Sequence, residues 1–309
     1  MIEKFPNFTP FSLSQKEKVY NYLKNFAPYG DFSLTNLVIW LNLEDDLEIS
    51  DLDNNLILRF TNVFANPKKR AYCFIGLVNV DDALTELSEY LKTRSEDLTL
   101  YSVPEETITL INRYEYFEDR DSFDYVLNTE EQVKLLGTRF GKYRRKVNSF
   151  INTNIDNIVI KEIDLNIPEQ FHQLVNSLHT WKRTYELGGN DNEGLEAHAL
   201  TRSFKFHEEL GLKSVAITIN NKIESFTLFS IDEVHSIADI HHTKCSYEQR
   251  NVFDFTLFAT ASKLRSEGIK FMNLEQDLGI EGLREHKLGL RPSHYLRKYT
   301  VDLSTIIRQ

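Results

Sequence analysis

The spacing of apolar residues changes period many times along the chain, and each change predicts an element. Residues 11–26 carry apolar positions at helical spacing and stop near Pro28, Tyr29 and Gly30. Residues 31–40 predict a capped helix that turns Leu34, Leu37, Val38 and Trp40 toward a core. Alternation at 55–61 and 70–78 predicts strands. A helix then runs over 81–92, with Asp81 and Asp82 at the end where the peptide dipoles favour negative charge. A strand at 98–103 follows, Pro104 opens a helical turn, and residues 122–127 alternate as a strand. Residues 129–152 read as one long helix with Val133, Leu136, Phe140, Val147 and Phe150 as its apolar stripe.

The second half begins with helices at 168–186, closed by Gly188 and Gly189, and at 196–210, closed by Gly211. Strands at 213–219, 222–230 and 235–244 are separated by short Asn-Asn and Asp-Glu turns, which predicts an antiparallel meander. A helix at 251–266 feeds a strand at 271–277, the chain turns at Gly279, and a short helix ends near Gly289 and Pro292. A last strand covers 295–303. This mixture defines an α+β protein.

The stretch from Asn273 to Lys287 concentrates the chemistry. On a continuous strand Asn273, Glu275 and Asp277 share one face, with the two carboxylates roughly 7 Å apart. Neighbouring acids raise each other's pKa and cations lower it, so Arg284 and Lys287, one helical turn apart, are natural counter-charges. Such a cluster at the carboxyl end of a strand suits a functional site and suits a structural ion-pair network equally. In the strand at 235–244, Asp239 and His241 fall on one face, where the acid could orient the imidazole for proton transfer; a histidine that only packs is the alternative. Residues 139–148 hold five cations and no acid. Lys142, Arg144 and Arg145 there could hold phosphate, or form a solvated helix face.

The run Asn-x-Glu-Gln-Asp-x-Gly-x-x-Gly-Leu-Arg-x-x-Lys, from Asn273 to Lys287, resembles the signature of the family built on the C-terminal catalytic domain of phosphatidylglycerol lysyltransferase. Residues 31–40, and Arg144, Asn148 and Phe150, resemble it too, whereas Arg145 stands where relatives tend to have Asn. The resemblance implies two GNAT-like acyltransferase domains in tandem, with mixed, mostly antiparallel sheets flanked by helices. Residues 1–127 would form the first domain, 128–155 a basic connecting helix, and 156–309 the second domain with the site. It implies an aminoacyl-transferase chemistry, from aminoacyl-tRNA to a hydroxyl or amine of a lipid or small acceptor. Asp277 or Glu275 would be the general base and His241 would assist. Arg284 and Lys287 would hold an anionic group or the developing oxyanion, and Lys142, Arg144, Arg145, Asn148 and Asn273 would bind substrate.

GNAT enzymes that use acyl-coenzyme A cradle its pyrophosphate on a glycine-containing turn. The corresponding stretch here, Gln249 to Asp254, has no glycine and ends in an acid, which disfavours that donor. A coenzyme A-dependent N-acyltransferase and a non-catalytic ligand-binding relative stand as alternatives. No cofactor beyond the donor and no metal are expected.

Composition narrows the setting. A net charge of −10 disfavours generic nucleic-acid coating, so a tRNA partner would need a local basic patch. With 41% hydrophobic and 27% charged residues the chain reads as soluble and globular, and no apolar run approaches a membrane span. The first ten residues lack the pattern of a secretion signal, so a cytoplasmic location is expected, with peripheral membrane contact left open. Cys73 and Cys245 have no metal or redox spacing and are expected as free thiols.

Overall fold

A computed structural model describes residues 2–63, 68–185 and 192–307. The expected closure of a helix at Gly188 and Gly189 lies outside them. The chain divides into two units, one comprising Met1–Asp124 and Leu296–Gln309, the other Tyr125–Tyr295.

In the first unit a 3-10 turn leads into α1 (Lys16–Leu23), and the short α2 (Leu34–Asn36) continues as a π turn, Leu37–Leu41, that buries Leu37, Val38 and Ile39. The strands are β1 (Thr9–Pro10), β2 (Glu48–Leu52), β3 (Asn55–Asn62), β4 (Lys69–Ile75), β5 (Thr99–Pro104) and β6 (Tyr114–Glu118). Helix α3 (Val80–Thr93) crosses from β4 to β5, and the single turn α4 (Glu105–Ile108) follows β5. Val80, Leu84, Leu87 and Leu91 recur on one face of α3 and pack with Ile57, Tyr72 and Phe74. Each such fully buried side chain contributes about 1.5–3 kcal/mol.

The second unit is entered along β7 (Asp124–Asn128). It contains α5 (Thr129–Lys134), α6 (Gly141–Asn154), β8 (Ile158–Glu162), α7 (Pro168–Tyr185), α8 (Asn192–Lys205), β9 (Lys213–Ile219), β10 (Lys222–Asp232), β11 (Ile237–Cys245), α9 (Val252–Ser266), β12 (Phe271–Asn273), α10 (Glu281–Gly289) and β13 (His294–Leu296). The chain ends with β14 (Lys298–Ile306).

The two sheets have seven strands each, in the orders β1-β2-β3-β4-β5-β14-β6 and β13-β7-β12-β11-β10-β9-β8. Each contains a parallel pair, β4 with β5 and β11 with β12, and each of these pairs is joined through a helix. The α+β class and the two-sheet plan expected from the sequence are those of the structure.

Several boundaries differ from the sequence expectation. The long helix expected at 129–152 is two, because Leu135 and Gly137 take left-handed backbone and break it. The last strand is also two: β13 joins the second sheet, while β14 is inserted between β5 and β6 in the first. The helix expected to connect two domains therefore falls inside the second unit, and the C-terminal strand falls inside the first. Strands β1, β2, β6 and β8 were not expected.

Lys298 is fully buried in the first unit, where its Nζ pairs with Asp31 and, at 2.8 Å, with Asp124. The second oxygen of Asp124 takes the Gly30 N–H at 2.8 Å. Burial alone lowers a lysine pKa, but the two carboxylates outweigh it and hold Lys298 well above its ordinary value.

Candidate active site

Strands β11 and β12 pair for three residues, Ile237↔Phe271, Ala238↔Met272 and Asp239↔Asn273, and then diverge. β11 continues to Cys245, whereas the chain leaves the sheet after Asn273. The strand expected over 271–277 therefore stops short, since Glu275, Leu278 and Gly279 all have left-handed backbone. Gly279 adopts it freely; for Glu275 it costs about 1–2 kcal/mol.

The conformation of Glu275 is held from two directions. Lys287, 8% exposed, reaches from α10 and donates to three successive carbonyls, those of Leu274 at 2.7 Å, Glu275 at 3.2 Å and Gln276 at 2.5 Å. The side chain of buried Asn273 accepts the Glu275 N–H at 2.8 Å. Lys287 and Asn273 thus shape the turn, and the ammonium is committed to main-chain oxygens.

Asp277 and Arg284 form a closed pair. Arg284 donates to both oxygens of Asp277 at 2.8 Å, while Tyr125 Oη donates at 2.5 Å and the Gly279 N–H at 2.9 Å. Burial pushes this carboxyl's pKa up, but the Arg284 and Tyr125 hydrogen bonds and the Gly279 N–H outweigh it and bring it down to about 2. A carboxylate so stabilised is a poor proton acceptor at neutral pH.

The divergence is bridged by the other acid. Glu275 Oε1 lies 2.9 Å from His241 Nδ1, and His241 Nε2 lies 2.8 Å from Ser230 Oγ. The His241 side chain is fully buried and Glu275 is partly exposed. The pairing of Asp239 with His241 expected from strand alternation gives way to this contact.

A β-bulge interrupts the register at His241. Leu228 pairs with His242 and Phe229 with Ile240, which leaves His241 as the extra residue. Phe229, Ala238 and Ile240 belong to the core cluster that includes residues of α6 and α9, so Ser230, opposite Asp239, projects to the other face with His241. His242 is fully buried beside Ser203 Oγ at 2.9 Å; burial first, then the Lys244 charge, pushes its pKa well below the usual range. Ser203 donates to the Ala199 carbonyl at 3.0 Å, which marks that pair as packing.

The cations of 139–148 divide. Arg139 pairs with Glu131, and Arg144 donates to the Leu135 and Gly137 carbonyls, closing the end of α5. Lys146 bonds both oxygens of Asp254, at 3.0 and 3.1 Å, in the first turn of α9. Lys142, Arg145 and Asn148 are exposed. Among the described residues no group of three or more His, Cys, Asp or Glu side chains is placed to hold a metal ion.

Sequence reasoning missed Ser230 and Tyr125. Ser230 was available from the expected pairing of neighbouring strands; Tyr125 meets Asp277 from 152 residues away with no local signal.

A two-sheet α+β protein with an acid-imidazole-hydroxyl array at diverging parallel strands is the class that fold and site define. The particular family follows from comparison: a model described as "Phosphatidylglycerol lysyltransferase, C-terminal" matches residues 24–302, and the chain belongs to that family. The family expected from the Asn273–Lys287 motif is thereby shown.

Among solved structures, the chain is similar to a conserved protein of unknown function from Bacteroides thetaiotaomicron, at 24% identity and TM-score 0.81 over 100% of both chains. It is similar to the C-terminal domain of a putative lysylphosphatidylglycerol synthetase from Agrobacterium fabrum, at 12% identity and TM-score 0.63 over 95% of this chain and 92% of that one. It is also similar to L-PGS from Bacillus licheniformis, at 12% identity and TM-score 0.60 over 98% and 93%. A comparison with curated proteins found no match. Among the described residues no helix is long and apolar enough to cross a membrane.

Proposed function

We propose that the protein is an acyltransferase of aminoacyl type, moving an activated amino acid from aminoacyl-tRNA to a hydroxyl or amine of a lipid headgroup or other small acceptor. The carrying observation is the Glu275–His241 hydrogen bond at the opening between β11 and β12, in a chain of the lysyltransferase C-terminal family. With Glu275 accepting the Nδ1 proton, Nε2 is left as the proton acceptor, so His241 is the general base and Glu275 its orienting partner. Asp277, paired on both oxygens and with its pKa near 2, acts with Arg284 and Lys287 to position this turn.

The choice of donor follows from α9. Its first turn, where a coenzyme A pyrophosphate would be cradled, already holds the buried Asp254 carboxylate, and Asn251 ahead of it offers no side-chain cap. Exposed Lys142 and Arg145 are suited to the phosphates of a larger donor.

The test is transfer by purified protein from tRNAs charged with labelled amino acids, supplied with phosphatidylglycerol vesicles or small amine acceptors. Labelled product is expected, and it should disappear with Glu275→Gln. Failure with every charged tRNA would overturn the donor assignment, and tight calorimetric binding of an acyl-coenzyme A would replace it.

A further inference from the structure

Ser230, His241 and Glu275 form a continuous hydrogen-bonded line whose atoms are those of a nucleophile, its base and the group that orients the base. Ser230 Oγ to His241 Nε2 is 2.8 Å and His241 Nδ1 to Glu275 Oε1 is 2.9 Å. These separations lie in the range required of an activated hydroxyl. The end members suit their roles. Ser230 is partly exposed near the end of β10, so its hydroxyl can meet a substrate; the imidazole between is buried, which strengthens the electrostatic coupling along the line.

Three features indicate that the line is built rather than incidental. His241 and Ser230 share the face of Asp239, and the β-bulge leaves His241 without a partner directly across on β10, beside Ser230. Glu275 is held in left-handed backbone, a conformation rarely kept without a compensating constraint. Lys287 supplies that constraint through three carbonyls. The neighbouring Ser203–His242 pair is a control within the same strand: Ser203 is fully buried and its proton goes to the Ala199 carbonyl.

We infer that Ser230 is the nucleophile of a two-step transfer that passes through an acyl-serine intermediate. This rests on the acyl-transfer reading above and adds a covalent stage to it. In the first step Ser230 Oγ bonds to the carbonyl carbon of the activated ester while its proton passes to His241 Nε2. The bond from that carbon to the ribose oxygen then breaks, and His241 returns the proton to the leaving hydroxyl. In the second step the acceptor hydroxyl or amine gives its proton to His241 as it attacks the acyl carbon. The Ser230 Oγ–carbon bond breaks and the serine recovers the proton. Glu275 stays ionised throughout and holds the imidazole in one tautomer.

The experiment has two arms. In the first, full-length protein is treated with a fluorophosphonate, which reacts with activated serines whatever the natural acyl donor, and the modified peptide is identified by mass spectrometry. Modification at Ser230 is expected, and it should be lost with His241→Asn. Unmodified Ser230, or modification indifferent to His241→Asn, overturns the inference. In the second, single-turnover transfer from charged tRNA is compared for the unaltered protein, Ser230→Ala and Ser203→Ala, with folding checked by circular dichroism. Ser230→Ala should slow transfer roughly a thousandfold while Ser203→Ala leaves it within about threefold. Transfer by Ser230→Ala at the original rate means direct attack by the acceptor: the covalent step falls and the transferase reading stands. Modified Ser230 without transfer from any charged tRNA keeps the nucleophile and removes the aminoacyl-tRNA donor.

Discussion

The two sheets each part at a parallel strand pair, and they fill the opening with different chemistry. In the first unit β4 and β5 are in register at Tyr72↔Leu100, and the neutral Thr107 and Asn55 hold the segment that follows β4. Thr107, in the turn after β5, donates to the Gly76 carbonyl at 2.9 Å and accepts the Gly76 N–H at 3.4 Å. Asn55 bonds the Leu52 and Val78 carbonyls at 3.0 and 2.8 Å. A Cβ on Gly76 would stand 2.2 Å from Asn55 Oδ1, so backbone and amide already fill this space. In the second unit the segment after β12 likewise reaches back to β11, but through Glu275 and His241. One architecture thus yields a joint closed by the neutral Thr107 and Asn55 in one unit and an acid-imidazole hydrogen bond in the other.

The comparison breaks most visibly at the buried charges. Lys298→Met should destabilise the first unit by about 3–5 kcal/mol, because Asp31 and Asp124 are left buried without their cation; chemical denaturation measures this. Glu275→Gln should instead lower transfer roughly a thousandfold and shift the melting temperature little, since the amide keeps the shape and loses the charge that orients His241. Lys287→Met releases three carbonyls and should cost about 2–4 kcal/mol together with activity, because Glu275 no longer holds its backbone. Equal losses of stability from the glutamate and lysine variants would mean that Glu275 is a structural residue.

The smallest effect is one of pH. The Asp277 carboxyl falls from 3.8 to about 2 in the folded protein. A depressed folded pKa contributes stability that is present above the unfolded value and is lost as pH drops through the folded one. About 2 kcal/mol should therefore disappear between roughly pH 4 and pH 2. Denaturant titrations at a series of acidic pH values should show this loss in the unaltered protein and a flatter response in Asp277→Asn.

Much of this was legible from residues alone. The meander of β9, β10 and β11 follows from alternation and turn residues, and the Asn273–Lys287 motif marked the site and the family. The roles inside the motif were not legible. Leu274 and Gln276 continue a strand-like alternation, so nothing local announces the left-handed turn at Glu275, which depends on Lys287 folding back from α10. Asp239 and His241 looked paired because an alternating strand puts them on one face; the partners His241 takes instead, Ser230 and Glu275, come from β10 and from the turn after β12 and have no local signal. Arg144 looked available for phosphate because the break at Leu135 and Gly137, whose carbonyls it binds, was hidden in a helical pattern.

Strand β14 lies inside the first sheet, hydrogen-bonded on one edge to β5 and on the other to β6. During synthesis the earlier strands leave the ribosome nearly two hundred residues before their missing neighbour. The first unit therefore cannot close its sheet until residues 298–306 have been made, by which point the strands of the second have all been synthesised. Folding order is set against chain order, and deleting residues 298–306 would leave β5 and β6 without the strand that joins them.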